Sequence, residues 1–238
     1  MRTTIHRAEE RGTSNLGWLK SAHSFSFASF YHPQKMGFGQ LRVLNDDHVA
    51  PAMGFGTHSH QNMEIISIPL KGTLEHKDSM GNISVIEAGD IQVMSAGKGI
   101  QHSEFNKSKT ESVDFLQIWV IPDQHNITPR YQQVKLAGLL KPNAFSQILS
   151  PDPDAKGVWI HQKAFFSLGT FDSNIVADYK LNHSSNGLYV FVIEGKISVD
   201  QQVLGRRDAL AAEEVNELSV VAIEKSEVLL MEIPLTNG

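Results

Sequence analysis

Apolar and polar residues alternate along most of this chain in short runs, interrupted by Gly, Asn and Asp. A period of two marks strands with one buried face, and the breaks mark turns. The pattern predicts strands over 40–44, 63–70, 72–78, 90–95, 112–120, 158–162, 164–170, 188–194, 196–200, 217–223 and 227–234. Asp78-Ser-Met-Gly-Asn82 reads as a hairpin turn between two of them. Many short strands with few short helices predict an all-β chain built as a sandwich or barrel.

The two halves of the chain share one pattern. Ile68-Pro-Leu-Lys-Gly72-Thr-Leu-Glu matches Phe191-Val-Ile-Glu-Gly195-Lys-Ile-Ser, and Gly89-Asp90 pairs with Arg207-Asp208 after a five-residue deletion. Such self-similarity predicts a duplicated unit. The segment from Ile127 to Pro153, with Pro129, Pro142, Pro151 and Pro153, reads as the connection. The expected organisation is a barrel over 1–130, a connection over 131–153 and a second barrel over 154–238.

Composition narrows the function. A net charge of −5 and the lack of any basic run exclude a general nucleic-acid or anionic-membrane partner. With no Cys, thiolate metal sites, iron–sulfur clusters and Cys nucleophiles are ruled out. No apolar stretch approaches a transmembrane span, and the polar start, Met1 to Arg11, has no signal-peptide core. The expected location is the cytoplasm, and the expected state a monomer, since two fused barrels cover each other's apolar faces.

The chemistry lies in two short segments, His58-Ser-His60 and His102-Ser-Glu104. Side chains two apart on a strand share a face, so adjacent strands of this kind bring three imidazoles and one carboxylate together. Three nitrogens and one hard oxygen suit a catalytic transition metal with an open position. Glu64 is the rival carboxylate, since 58, 60 and 64 have the same parity, as do 102 and 104. The repeat sets Leu181, His183, Val220 and Ala222 against His58, His60, His102 and Glu104, so the second half is expected to hold apolar filling instead of metal. The remaining histidines, His76 among them, lack a partner at ligand spacing and read as structural or surface residues. Phe25, Phe27 and Phe30 read as core, and so by default do Met53, Met63 and Met94. Gly97-Lys-Gly99 is a poor phosphate loop, with no Gly-Lys-Ser/Thr after it.

The segments Gly54-Phe-Gly-Thr-His58-Ser-His60-Gln-Asn-Met-Glu64 and Gly89-Asp90 through His102-Ser-Glu104-Phe-Asn106 resemble the two cupin motifs. They depart from those motifs in a Gly72 one residue late, in Ser95 where cupins carry proline, and in a longer loop before His102. These departures, with His23-Ser-Phe-Ser-Phe-Ala-Ser-Phe-Tyr31, Leu41-Arg-Val-Leu-Asn-Asp46 and Ile127-Thr-Pro-Arg-Tyr131, resemble the pirin family, and within it the short bacterial quercetin 2,3-dioxygenase type. The resemblance implies a bicupin, two jelly-roll barrels packed together. It also implies a single divalent metal, usually Fe(II), held by His58, His60, His102 and Glu104, and so chooses Glu104 over Glu64. The implied reaction cleaves a flavonol-like aromatic substrate with O2 and releases carbon monoxide, with Glu104 also serving as general base. The alternative it implies is a non-enzymatic iron-dependent redox sensor that acts through a protein partner.

Overall fold

The computed structural model describes residues 1–236. The first half runs through β1 (Arg2–His6), β2 (Gly12–Asn15), β3 (Leu19–His23), β4 (Leu41–Val49), β5 (Gly54–His60), β6 (Glu64–Lys71), β7 (Thr73–Asp78), β8 (Ile83–Glu87), β9 (Asp90–Ser95), β10 (Ile100–Asn106), β11 (Val113–Val120) and β12 (Arg130–Lys135). The second runs through β13 (Phe145–Ser150), β14 (Val158–Trp159), β15 (Phe165–Phe171), β16 (Val176–Lys180), β17 (Asn186–Glu194), β18 (Ile197–Val199), β19 (Gln202–Leu204), β20 (Ala209–Glu213), β21 (Glu217–Ala222) and β22 (Ser226–Pro234). Among the described residues the only helical pieces are two 3₁₀ turns, Ala8–Glu10 and Leu136–Gly138, and no helix is long and apolar enough to cross a membrane.

Each half is a large sheet and a small sheet. The first large sheet has the order β12-β9-β6-β11-β4-β3-β2, with β5-β10-β7-β8 as its small partner. The second repeats it as β1-β20-β17-β22-β15-β13-β14, with β16-β21-β18-β19. The orders match up to the last edge strand, where β14 runs parallel to β13 while β2 runs antiparallel to β3, so the chain is a bicupin, as the duplicated pattern predicts. Two edges cross the expected boundaries. Strand β12, which falls in the expected connection, pairs with β9 and closes the first large sheet. Strand β1 pairs with β20, from Arg2 opposite Glu213 to His6 opposite Ala209, and so closes the second. Both satisfy the unpaired N–H and C=O groups of an edge strand, and their positions have no hydrophobic period that would announce them.

The main core lies between the two large sheets. Strict alternation sends Ile66 and Ile68 of β6 into this seam, where they meet Leu116, Ile118, Phe166, Tyr189, Leu229 and Met231. Phe25 is buried there too, with its ring 5.5 Å from that of Tyr189. A buried ion cluster crosses the same seam. Arg207 Nε donates to Asp46 Oδ2 at 2.5 Å, and Arg11 lies 3.6 Å from the same carboxylate. Phe166 is fully enclosed, so Phe166→Ala is expected to cost about 3–5 kcal/mol; calorimetry should show a large fall in Tm with unfolding still cooperative.

The second barrel fills its interior with apolar side chains. Val220 and Ala222 are buried among Leu188, Val190 and Leu230, with Leu181 packed against them. Among the described residues, no metal-ligating trio forms there.

Candidate metal centre

The first barrel places its polar groups on β5, β7 and β10. Strand β10 lies between the other two, with His102 opposite His58 on one side and Asp78 on the other. Ligand-atom positions of His58, His60 and His102 lie within 4.8 Å of one another, and the His58 and His102 Nε2 atoms are 3.0 Å apart. His58 Nδ1 lies 2.8 Å from the Gly56 carbonyl and donates to it, which leaves Nε2 as the free lone pair. Burial, reinforced by the neighbouring imidazoles, lowers His60 to about 4 and His102 to about 2. These two rings are therefore neutral near pH 7, the form in which imidazole binds metal.

A bulge between His102 and Glu104 shifts the register with β5, so Glu104 stands opposite Phe55 there and opposite His76 on β7. The Glu104 carboxylate is enclosed. It accepts from Ser67 Oγ at 3.1 Å and from Gln117 Nε2 at 2.7 Å, and no protein cation pairs with it among the described residues. Burial, with the charge of Asp47 adding to it, raises this carboxyl to about 7 despite the Ser67 bond. An enclosed carboxylate beside neutral imidazoles, without a positive partner, is a donor set that fits a divalent cation.

His76 belongs to this centre although the sequence pattern reads it as a structural or surface residue. Its ligand atoms group with those of His102 and Glu104 within 4.8 Å. Its Nδ1 is 3.5 Å from His102 Nδ1, and its Nε2 is 3.1 Å from Asp78 Oδ2. The chain His102–His76–Asp78 accounts for every proton: His102 Nδ1–H donates to His76 Nδ1, and His76 Nε2–H donates to Asp78. A strand neighbour two positions from the Asp78 turn was the available signal.

Glu64 lies elsewhere. The chain leaves strand geometry at Asn62 (φ 48°), and β5 and β6 belong to different sheets, so the shared parity of 58, 60 and 64 does not carry across. Glu64 follows the alternation of Ile66 and Ile68 toward the seam, accepts from Ser95 Oγ at 2.6 Å and faces Arg130. Burial raises its carboxyl to about 7 against the pull of Ser95 and Arg130.

Above the imidazoles opens a cavity of about 610 Å³, walled by Leu16, Trp18, Phe27, Phe55 and Trp119, with His58, His60 and the buried Glu104 lining it. Phe27, expected in the core, instead meets Trp119 edge-on at 5.5 Å in this wall. Trp119 in turn meets the His60 ring at 4.9 Å. Met94 is core, Met53 is exposed, and neither lines the cavity. Gly97 is required by packing: at φ 46° a Cβ there would lie 2.1 Å from the Ile127 carbonyl oxygen. That contact explains the glycine in the loop before β10 without a phosphate.

A duplicated β-barrel with a His-rich cluster under an apolar cavity defines a two-domain cupin. The family model named Pirin matches residues 4–120, and one described as the quercetinase C-terminal cupin domain matches 147–233. The chain is 39% identical over 233 residues to quercetin 2,3-dioxygenase of Escherichia coli (strain K12), covering 97% of this chain and 98% of that one. It is likewise 39% identical over 223 residues to a protein of Pseudomonas aeruginosa named as a putative quercetin 2,3-dioxygenase, covering 93% and 95%. The solved bacterial pirin YhhW of Escherichia coli, in complex with nickel(II), superimposes with a TM-score of 0.92 at 38% identity, over 98% of this chain and 99% of that one. The chain belongs to the pirin family.

Proposed function

We propose that this protein is a metal-dependent dioxygenase that opens flavonols such as quercetin with O2 and releases carbon monoxide. The observation that carries the proposal is the convergence of three imidazoles, with the buried Glu104 carboxylate grouped with one of them, His102, at an apolar cavity of about 610 Å³, a volume suited to a three-ring substrate. Names of relatives at 39% identity over nearly the whole chain point to the same substrate class. His58, His60, His102 and Glu104 are the proposed ligands, and Fe(II) the proposed ion. When bound, the metal supplies positive charge beside the substrate hydroxyl and the one-electron chemistry that O2 requires.

The chain's own residues do the rest. Leu16, Trp18, Phe27, Phe55 and Trp119 exclude water and hold a flat aromatic ligand against the floor. Ser67 and Gln117 orient the Glu104 carboxylate, and the Gly56 carbonyl fixes the His58 tautomer. His76, backed by Asp78, does the same for His102. Removing such a partner of a metal-bound histidine typically weakens binding roughly 10–100-fold, so His76→Ala should lower metal affinity by that factor in a competition titration with a chelator, with secondary structure unchanged.

The proposal is tested by anaerobic loading with Fe(II), then aerobic turnover of quercetin followed by loss of its visible absorbance, with carbon monoxide assayed as product. Metal-dependent loss with carbon monoxide, absent in His102→Ala and with free iron, is the expected result. No turnover by fully loaded protein would contradict it and direct attention to a protein partner.

A further inference from the structure

The cavity over the histidines shares a wall with a second opening. Ser14, Ser21 and Asp47 line both that cavity and a polar groove of about 530 Å³ at the junction of the two halves. The wall is a continuous hydrogen-bonded row. Ser21 Oγ donates to Asp47 Oδ1 and lies 3.3 Å from His23 Nδ1. His23 Nδ1 is 2.9 Å from Asn45 Oδ1, and His23 Nε2 is 2.9 Å from Ser14 Oγ. Asp47 is only 4% exposed, yet its Oδ2 makes no hydrogen bond to the protein among the described residues and is not sealed in. A nearly buried carboxylate with one free oxygen, reached from both sides, has no structural task that its neighbours explain.

We propose that Asp47 takes the proton of the substrate's acidic hydroxyl and releases it to the groove, while Ser14, Ser21 and His23 keep the wall closed to bulk water. The inference rests on the flavonol reading above. In the step the substrate O–H bond breaks, its electron pair stays on the substrate oxygen, and the proton goes to the Asp47 carboxylate. No oxidant or reductant is involved. The proton stays on Asp47 while the anion is bound and passes to water in the groove only after the ligand leaves, which restores the carboxylate. The family resemblance gave this task to Glu104, but each of its oxygens already accepts a hydrogen bond, from Ser67 and from Gln117.

The electrostatics agree with the geometry. Burial above all, with the nearby charge of Asp46, raises Asp47 to about 7 against the Ser21 bond and Arg11. A base with this pKa is matched to work near neutrality. The charge of Glu104 acts on it, His58 and His60 line the same cavity, His23 stands on the adjacent strand, and Arg11 and Asp46 act on it as well. Lys20, His48, Asp114, Arg206 and Arg207 complete the charges of the groove. The sign follows: below about pH 7 Asp47 holds its own proton, so substrate ionisation falls as the pH is lowered through that value.

The test uses the full chain loaded with Zn(II), which carries out no redox chemistry, and titrated anaerobically with quercetin. The ionised flavonol absorbs to the red of the neutral form. Wild type should bind it as the anion at pH 7, with an infrared band for a newly protonated carboxyl. Asp47→Asn should bind quercetin with its metal retained, show no new carboxyl band, and lower the anion fraction roughly tenfold, the equivalent of one pK unit. Ser21→Ala keeps the carboxylate but removes the bond that favours its charged form, so the midpoint for anion formation should move to higher pH. An anion fraction, midpoint and carboxyl band in Asp47→Asn equal to those of wild type would overturn the inference and place the proton on another group. Wild type that takes up no quercetin would instead overturn the flavonol reading, and this inference with it.

Discussion

Replacing His58 or His102 with Ala is expected to abolish stoichiometric metal and leave the β fold intact. The two rings face each other across β5 and β10 with their Nε2 atoms 3.0 Å apart, so each substitution removes one imidazole of the trio. The fold survives because the core lies elsewhere: the seam between the large sheets holds most of the buried aromatic and aliphatic side chains. His102→Ala also strands His76, whose Nδ1 loses its partner. Metal analysis after chelation and reloading should fall from about one ion per chain to a small fraction, with an unchanged far-UV circular dichroism spectrum. Full occupancy in either variant would contradict the ligand assignment.

The second large effect separates two buried carboxylates of similar acidity. Glu104→Gln keeps the shape and the Ser67 and Gln117 contacts but removes the charge beside the imidazoles. Metal affinity should fall by at least about 100-fold, above the usual range for residues that only support a ligand. Glu64→Gln changes the group held by Ser95 and faced by Arg130, on the other side of β6, and should leave metal affinity within about threefold of wild type, since it removes no ligand and no residue touching one. Isothermal titration with Ni(II) reads both. Equal losses would mean that Glu64, not only Glu104, reaches the ion.

How much of this was legible follows from what each feature depends on. The apolar run that ends in Ile68-Pro-Leu-Lys-Gly72 and its repeat in Phe191-Val-Ile-Glu-Gly195 revealed the duplication, because strand pattern and turn glycines are local properties. His-x-His and His-x-Glu were legible for the same reason. Glu64 was ambiguous because parity holds only within one strand, and the positive φ of Asn62 ends it. His76 showed only its spacing to Asp78, because its place beside His102 depends on which strand pairs with β10, a long-range choice. Strand β1 escaped notice since Arg2–His6 lies on an edge and takes its identity from β20. Asp47 directly follows Leu41-Arg-Val-Leu-Asn-Asp46 with nothing in its spacing to set it apart, and only the fold places it between a cavity and a groove.

The central claim is that one metal ion sits among His58, His60, His102 and Glu104, facing the apolar cavity. Anomalous diffraction at the iron edge from crystals loaded anaerobically with Fe(II) tests it most directly. The account predicts a single peak about 2.0–2.2 Å from one nitrogen of each of the three imidazoles and from a Glu104 oxygen, distances usual for such ligands, with open coordination toward Trp119 and Phe27. A peak centred on His76, His102 and Glu104 without His58 and His60, or one at Glu64, would contradict it.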